Sequence, residues 1–243
     1  MYLIIDVGNT RGKAAVFEKD MLKKLFVFSK EEIFSEIEKI LKKYPIKQGI
    51  ISAVAKLSEE KLKQLHKIIN LIELNNDTNV PFINNYETPK TLGVDRIALA
   101  AYAVCNFPNE NVLVIDAGTC VTFDFVNSEG QYLGGAISPG LKMRYQSLNN
   151  YTSKLPLLTS KEPNSFIGTN TQESIHSGIV NGISREIDGV ITQYKNKFGD
   201  LTVLLTGGDT KFLVKQLKND IFANPNLVLE GLYQILTYNR ADD

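Results

Sequence analysis

The chain has 243 residues, in which 27 Lys plus Arg are balanced by 27 Asp plus Glu, so its formal net charge at pH 7 is zero. Folding at this length buries roughly 70–75% of the surface that the unfolded chain exposes, so no disulfide or metal staple is required. A neutral balance excludes a long-range field built to draw in nucleic acid or an anionic membrane. The two cysteines, Cys105 and Cys120, sit in apolar segments without metal-ligand spacing and read as reduced thiols of a cytoplasmic protein. The apolar start "MYLII" is cut short by Asp6 and has no basic flank, which predicts neither a leader peptide nor a membrane span.

In chain order, "YLIIDV", "GKAAVFE" and "MLKKLFVFS" predict an antiparallel meander with Gly8-Asn9 in its first turn. At Ser29 the period changes. Ser29 and Glu32 form a capping box, and Ile33, Phe34, Ile37, Ile40 and Leu41 stripe a helix that stops before Pro45. The buried-looking strand "GIISAV" follows, then a helix from about Ser58 bearing Leu62, Leu65 and Ile69, the strand "LIEL", and the helix "RIALAAYAV". From Asn111 the order restarts. "NVLVIDAG", "CVTFDFVN" and "QYLGGAIS" predict three strands, followed by a long helix over 171–197, strand "TVLLTGG", a helix near 210–217 and a last helix over 226–238. Two halves with one opening order imply a duplicated α/β fold, with domains 1–109 and 110–243 meeting where Pro108, Asn109 and Glu110 interrupt the apolar run.

Each half runs an apolar strand into an aspartate and a glycine: Asp6-Val-Gly-Asn-Thr10 and Asp116-Ala-Gly-Thr119. A carboxylate at the end of a buried strand loses hydration, and a bound cation repairs that loss. The glycine lets backbone approach a phosphate, and the hydroxyl or amide that follows adds a hydrogen-bonding group. One such turn is an ordinary hairpin; two at equivalent points suit two jaws on one metal–nucleotide. In "LLTGGDTK", Gly207-Gly208 fits either approach to a flat base or a tight turn capped by Asp209. Asp95 in "LGVDRIALA" fits an N-cap as well as a catalytic carboxylate at a helix N-terminus. Lys13 fits a phosphate contact or a side chain snorkelling from a strand. Gly178 and Gly182 would admit another backbone against the long helix, and His66 and His176 read as helix-surface residues.

The ordered set Asp6-Val-Gly-Asn-Thr10, Gly93-Val-Asp-Arg96, Asp116-Ala-Gly-Thr119, "GGAISPGL" and Gly168-Thr-Asn-Thr171 resembles the type III pantothenate kinases, within the acetate kinase, sugar kinase, heat-shock chaperone and actin superfamily. The resemblance implies a duplicated ribonuclease H-like (actin-like ATPase) fold: two domains with mixed five-stranded sheets flanked by helices. It implies transfer of phosphate from ATP to the terminal hydroxyl of pantothenate, the first step towards coenzyme A, with Asp95 as the base. Asp6 would hold magnesium through water, with Val7, Gly8, Asn9, Thr10, Arg11, Gly12 and Lys13 around the phosphates and Thr119 also on ATP. Asp116 would hold a monovalent cation, potassium or ammonium. Tyr86, Gly93, Val94, Asp95, Arg96 and Thr171 would line the pantothenate site, Thr171 reaching across a homodimer interface. Without the resemblance, Tyr86 reads as a surface tyrosine and Thr171 as the cap of the long helix. The alternative is a non-catalytic, nucleotide-binding transcriptional accessory factor of the same family, and a kinase for another small acid or a sugar is a third reading.

Overall fold

The computed structural model describes residues 1–8, 11–53 and 57–240. Its opening meander is β1 (Tyr2–Val7), β2 (Gly12–Glu18) and β3 (Met21–Phe28), antiparallel throughout. Leu3, Ile4, Ile5 and Val7 are all buried, the pattern of a central strand covered on both faces. The Gly8 N–H donates to the Arg11 carbonyl at 3.1 Å; Asn9 and Thr10, predicted to shape this turn, lie outside the described residues.

A 3-10 turn over Lys30–Glu32 leads into α1 (Ile33–Lys43). Glu32 reaches back to accept the Ser29 N–H at 3.2 Å, the capping box read from the sequence, and Ile33, Ile37 and Ile40 are buried. β4 (Gln48–Ala53) joins β1 in parallel, α2 (Glu59–Ile68) is capped by Ser58, and β5 (Leu71–Glu73) joins β4 in parallel. The sheet order is β3-β2-β1-β4-β5. Ile69 lies just past α2 in extended conformation, yet stays in the core. Two short elements, β6 (Ile83–Asn84) and a 3-10 turn at Pro89–Thr91, then precede α3 (Val94–Asn106).

The second half opens with β7 (Val112–Ala117), β8 (Cys120–Val126) and β9 (Gln131–Pro139). After them come α4 (Leu141–Asn150), α5 (Thr171–Phe198), β10 (Thr202–Thr206), α6 (Thr210–Leu213), β11 (Phe222–Ala223) and α7 (Leu227–Tyr238). β8 runs antiparallel to β7 and β10 parallel to it, the same relation that β2 and β4 have to β1. The second sheet runs β11-β10-β7-β8-β9-β6 and so has six strands rather than the expected five. The sixth, β6, pairs in parallel with β9, Ile83 opposite Gln131 and Asn84 opposite Tyr132.

The chain forms two compact units. One is Met1–Pro108 with Gly130–Tyr132 and the segment from Leu227 onward; the other is Asn109–Glu129 with Leu133–Asn226. A single cut at 109/110 therefore differs from the observed division at α7, which belongs with the first unit. Gly231 explains its seat: a Cβ there would stand 1.9 Å from the Ala98 carbonyl oxygen, so only glycine lets α7 lie this close to α3. Tyr233 of α7 also stacks on Phe17, ring centroids 4.5 Å apart, and its hydroxyl donates to Asp20 at 2.9 Å. Neither α4 nor β11 is expected from the sequence pattern. In α4 only Leu141 and Tyr145 are buried, too sparse a stripe to announce a helix after Pro139-Gly140. Among the described residues no helix is long and apolar enough to cross a membrane, and both cysteines are free.

Candidate active site

Strand pairing builds the first part of the site. Asp6 stands opposite Lys13 of β2 and opposite Ser52 of β4, so three neighbouring strands place an ammonium, a carboxylate and a hydroxyl in one row. The Ser52 hydroxyl donates to Asp6 Oδ1 at 2.8 Å. Burial pushes the Asp6 carboxyl above the ordinary carboxylate range; the Ser52 hydrogen bond and the Lys13 charge oppose that shift, and the charge of Asp95 adds to it. Asp6, Lys13 and Asp95 thus share one electrostatic neighbourhood within the first unit. Lys13 stands beside the carboxylate, a placement that snorkelling alone does not require.

Asp95 is not the N-cap of α3. Gly93 takes that position, with extended backbone, and Asp95 lies in the first turn with its Oδ1 accepting the Arg96 N–H at 2.9 Å. A Cβ on Gly93 would stand 2.5 Å from that same Oδ1, so the glycine makes room for the carboxylate. Arg96 is buried, its guanidinium carbon 5.7 Å from the Tyr86 ring centroid and 6.0 Å from that of Tyr132. Two rings on one guanidinium restrain it by cation–π attraction and packing. Tyr86 is only partly exposed, with its N–H bonded to Asn84 Oδ1 at 3.1 Å, so it is not a free surface tyrosine.

The second unit repeats the first row with different chemistry. Asp116 stands opposite Thr122 of β8 and Thr206 of β10, two buried threonines where Asp6 has a lysine and a serine. Its turn is braced from two sides. The Gly140 N–H donates to the Thr119 carbonyl at 3.1 Å, and a Cβ on Gly140 would stand 2.2 Å from the Gly118 carbonyl oxygen. Gly207 has φ +98°, and a Cβ there would stand 2.3 Å from the Ala117 carbonyl oxygen and 2.4 Å from Asp116 Oδ1; the left-handed backbone and the protein's own neighbouring atoms already require this glycine. Gly208 faces open space. Asp209 occupies the N-cap position of α6 without a side-chain cap bond, its N–H donates to the Ala117 carbonyl at 2.9 Å, and burial raises its carboxyl.

At the start of α5 the cap is Asn170, whose Oδ1 accepts the Glu173 N–H at 3.0 Å, so Thr171 is exposed and has no capping duty. His176, expected on a helix surface, is buried and hydrogen-bonded to the Tyr145 hydroxyl at 2.8 Å, because α4 covers that face of α5. His66 is exposed, as expected, and pairs with Glu73.

The profile of the family described as type III pantothenate kinase matches residues 2–193. A type III pantothenate kinase of Flavobacterium johnsoniae is 50% identical over 244 residues, covering all of both chains, and one of Christiangramia forsetii is 49% identical over 241 residues, covering 99% of each. The chain belongs to the type III pantothenate kinase family. Membership of a kinase family implies use of ATP. Among solved structures, a Campylobacter jejuni protein described as a Baf family transcriptional activator superposes with TM-score 0.65 at 23% identity over 98% of both chains. A glucokinase from an Antarctic psychrotroph superposes with TM-score 0.54 at 12% identity, over 98% of this chain and 99% of the other. At these identities the likeness is one of fold, the two-domain architecture of actin-like ATPases and sugar kinases.

Three neighbours of the type III kinase motifs carry no signal of their own in the sequence. Ser52 and Thr206 are single hydroxyls inside apolar strands, and Tyr132 is one aromatic in a strand; only pairing shows which motif residue each stands beside.

Proposed function

We propose that this chain phosphorylates the terminal hydroxyl of pantothenate with ATP, the first committed step towards coenzyme A. The observation that carries the reading is the placement of Asp95: a carboxylate on the first turn of α3, next to the restrained Arg96 and within electrostatic reach of Asp6. Such a carboxylate accepts the proton of a hydroxyl held against it. As the substrate oxygen bonds to the γ-phosphorus, the bond from that phosphorus to the β–γ bridging oxygen breaks and ADP leaves. Arg96 donates to substrate oxygens, and Tyr86, Gly93 and Val94 shape that side of the pocket. Thr171, released from capping by Asn170, is assigned to pantothenate across a homodimer interface.

Asp6 fits a magnesium–nucleotide. Its carboxylate is desolvated, oxygen-only and incompletely neutralised by Ser52 and Lys13, the condition in which a hard cation is welcome. Among the described residues no group of three or more His, Cys, Asp or Glu could hold a metal, which suits an ion shared between one carboxylate, water and phosphates. When bound, magnesium neutralises phosphate charge. Val7, Gly8, Arg11, Gly12 and Lys13 line the nucleotide turn; Asn9 and Thr10 are assigned with them from the motif alone. In the second unit Thr119 is assigned to ATP and Asp116 to potassium or ammonium. The protein is proposed to work in the cytoplasm without nucleic acid or membrane partners.

The test is pantothenate-dependent ADP formation with magnesium and potassium, comparing the wild type with Asp95→Asn. Turnover that requires pantothenate and collapses by about 100-fold or more in Asp95→Asn supports the kinase and its base. A folded, ATP-binding wild type with no pantothenate-dependent turnover, in potassium or ammonium, would leave the transcriptional accessory reading in its place.

A further inference from the structure

Ser52 lies near the end of the apolar strand β4, between Ile51 and Ala53, and is fully buried. A hydroxyl there is costly unless it makes a hydrogen bond. Its bond goes to Asp6 Oδ1 at 2.8 Å, from the position directly opposite Asp6 on the parallel neighbour of β1. The second unit supplies an independent copy of this placement. Thr206, also buried, stands directly opposite Asp116 on β10, the parallel neighbour of β7. In both units a buried hydroxyl tracks the strand-end aspartate, although the antiparallel neighbours differ, Lys13 in one and Thr122 in the other.

We propose that Ser52 is a positioning residue for Asp6: its hydroxyl commits Oδ1 to the fold, holds the side chain in one orientation, and so presents the carboxylate to the magnesium of the nucleotide. The inference rests on the assignment of Asp6 to that metal. Lys13 cannot substitute, because a flexible ammonium on the opposite strand supplies charge without fixing the carboxylate plane. Thr206 extends the same principle to Asp116 but is not needed for the test.

Calorimetric titration of the protein without pantothenate, using ADP with magnesium and ADP with chelator, separates metal-dependent from metal-independent binding. Ser52→Ala is expected to weaken magnesium–ADP binding by about tenfold, the scale of a lost hydrogen bond to a charged group, while ADP alone binds as in the wild type. Ser52→Thr, which keeps the hydroxyl, is expected to restore the metal-dependent component. In turnover, KM for ATP rises in Ser52→Ala and KM for pantothenate stays put. Should Ser52→Ala fold poorly, Ser52→Cys keeps the volume with a much weaker donor and carries the same comparison. Wild-type magnesium–ADP affinity in the folded Ala or Cys variant overturns the proposal, as does equal weakening of ADP with and without magnesium. A wild type that binds ADP identically with and without magnesium instead refutes the metal role of Asp6, and this inference with it.

Discussion

Gly140 is where a single methyl group should do the most damage to the turn after Asp116. Its backbone, φ −73° and ψ 173°, is comfortable for alanine, so Gly140→Ala introduces no dihedral strain. The new Cβ would stand 2.2 Å from the Gly118 carbonyl oxygen and 2.5 Å from that of Thr119, about an ångström inside ordinary contact. Both clashing atoms are backbone, so relief requires moving the turn or the start of α4. Overpacking of this kind costs about 1–3 kcal/mol, offset by about 0.4–1 kcal/mol from the stiffer unfolded chain. At about 2–4 °C per kcal/mol for a chain of this size, a midrange net loss of about 1.3 kcal/mol lowers Tm by about 3–5 °C. Because the turn that shifts is assigned to ATP, kcat/KM for ATP should fall about 10- to 100-fold. Gly178→Ala is the opposite-sign control: nothing lies within 4 Å of its Cβ, and the residue is inside α5. There alanine should stabilise by about 0.5–1 kcal/mol through helix propensity. Differential scanning calorimetry and steady-state kinetics read both variants. A Gly140→Ala protein that melts and turns over like the wild type would refute the packing argument, and a destabilised Gly178→Ala would place a second copy of the chain against that face of α5.

Two further variants separate stability from chemistry. Gly93→Ala drives a Cβ to 2.5 Å from Asp95 Oδ1, the tip of a side chain that can rotate away; Tm should barely move while kcat falls about 10- to 100-fold, and an unchanged kcat would argue against Asp95 as the base. Asp6→Asn should melt higher than the wild type at neutral pH in the absence of nucleotide. The folded-state pKa of Asp6 is raised, so the native carboxylate carries a penalty at pH above that value, which is relieved as pH falls through it and the native state takes up its proton first. The stability gap, measured by urea unfolding across the acid range, should therefore shrink as pH is lowered, and a gap that widens instead would contradict the burial argument. Turnover in Asp6→Asn should be lost at every pH.

Local signals alone make a large part of this molecule legible. The meander over residues 2–28 is set by period-two and continuous apolar runs broken at Gly8 and Asp20, the start of α1 by the Ser29–Glu32 box, and the length of α5 by its unbroken stripe from Ile175 to Ile191. The two strand-end aspartates are visible as turn signals because an apolar strand running into Asp-x-Gly is distinctive at short spacing, whereas Asp95 with Arg96 and the "ISPGL" glycine stand out through the family resemblance. What the sequence could not decide is everything that depends on which segments lie side by side. Strand pairing places Ser52 and Lys13 against Asp6, and Thr122 and Thr206 against Asp116, from positions up to 90 residues away in the chain. Packing makes Gly93, rather than Asp95, the cap of α3, turns His176 inward under α4, and brings α7 back to α3 through Gly231. A one-dimensional pattern records the local energies of helix, turn and cap. The burial of a hydroxyl, the neutralisation of a carboxylate and the need for a missing Cβ are set by neighbours distant in sequence, and those exist only once the chain has folded.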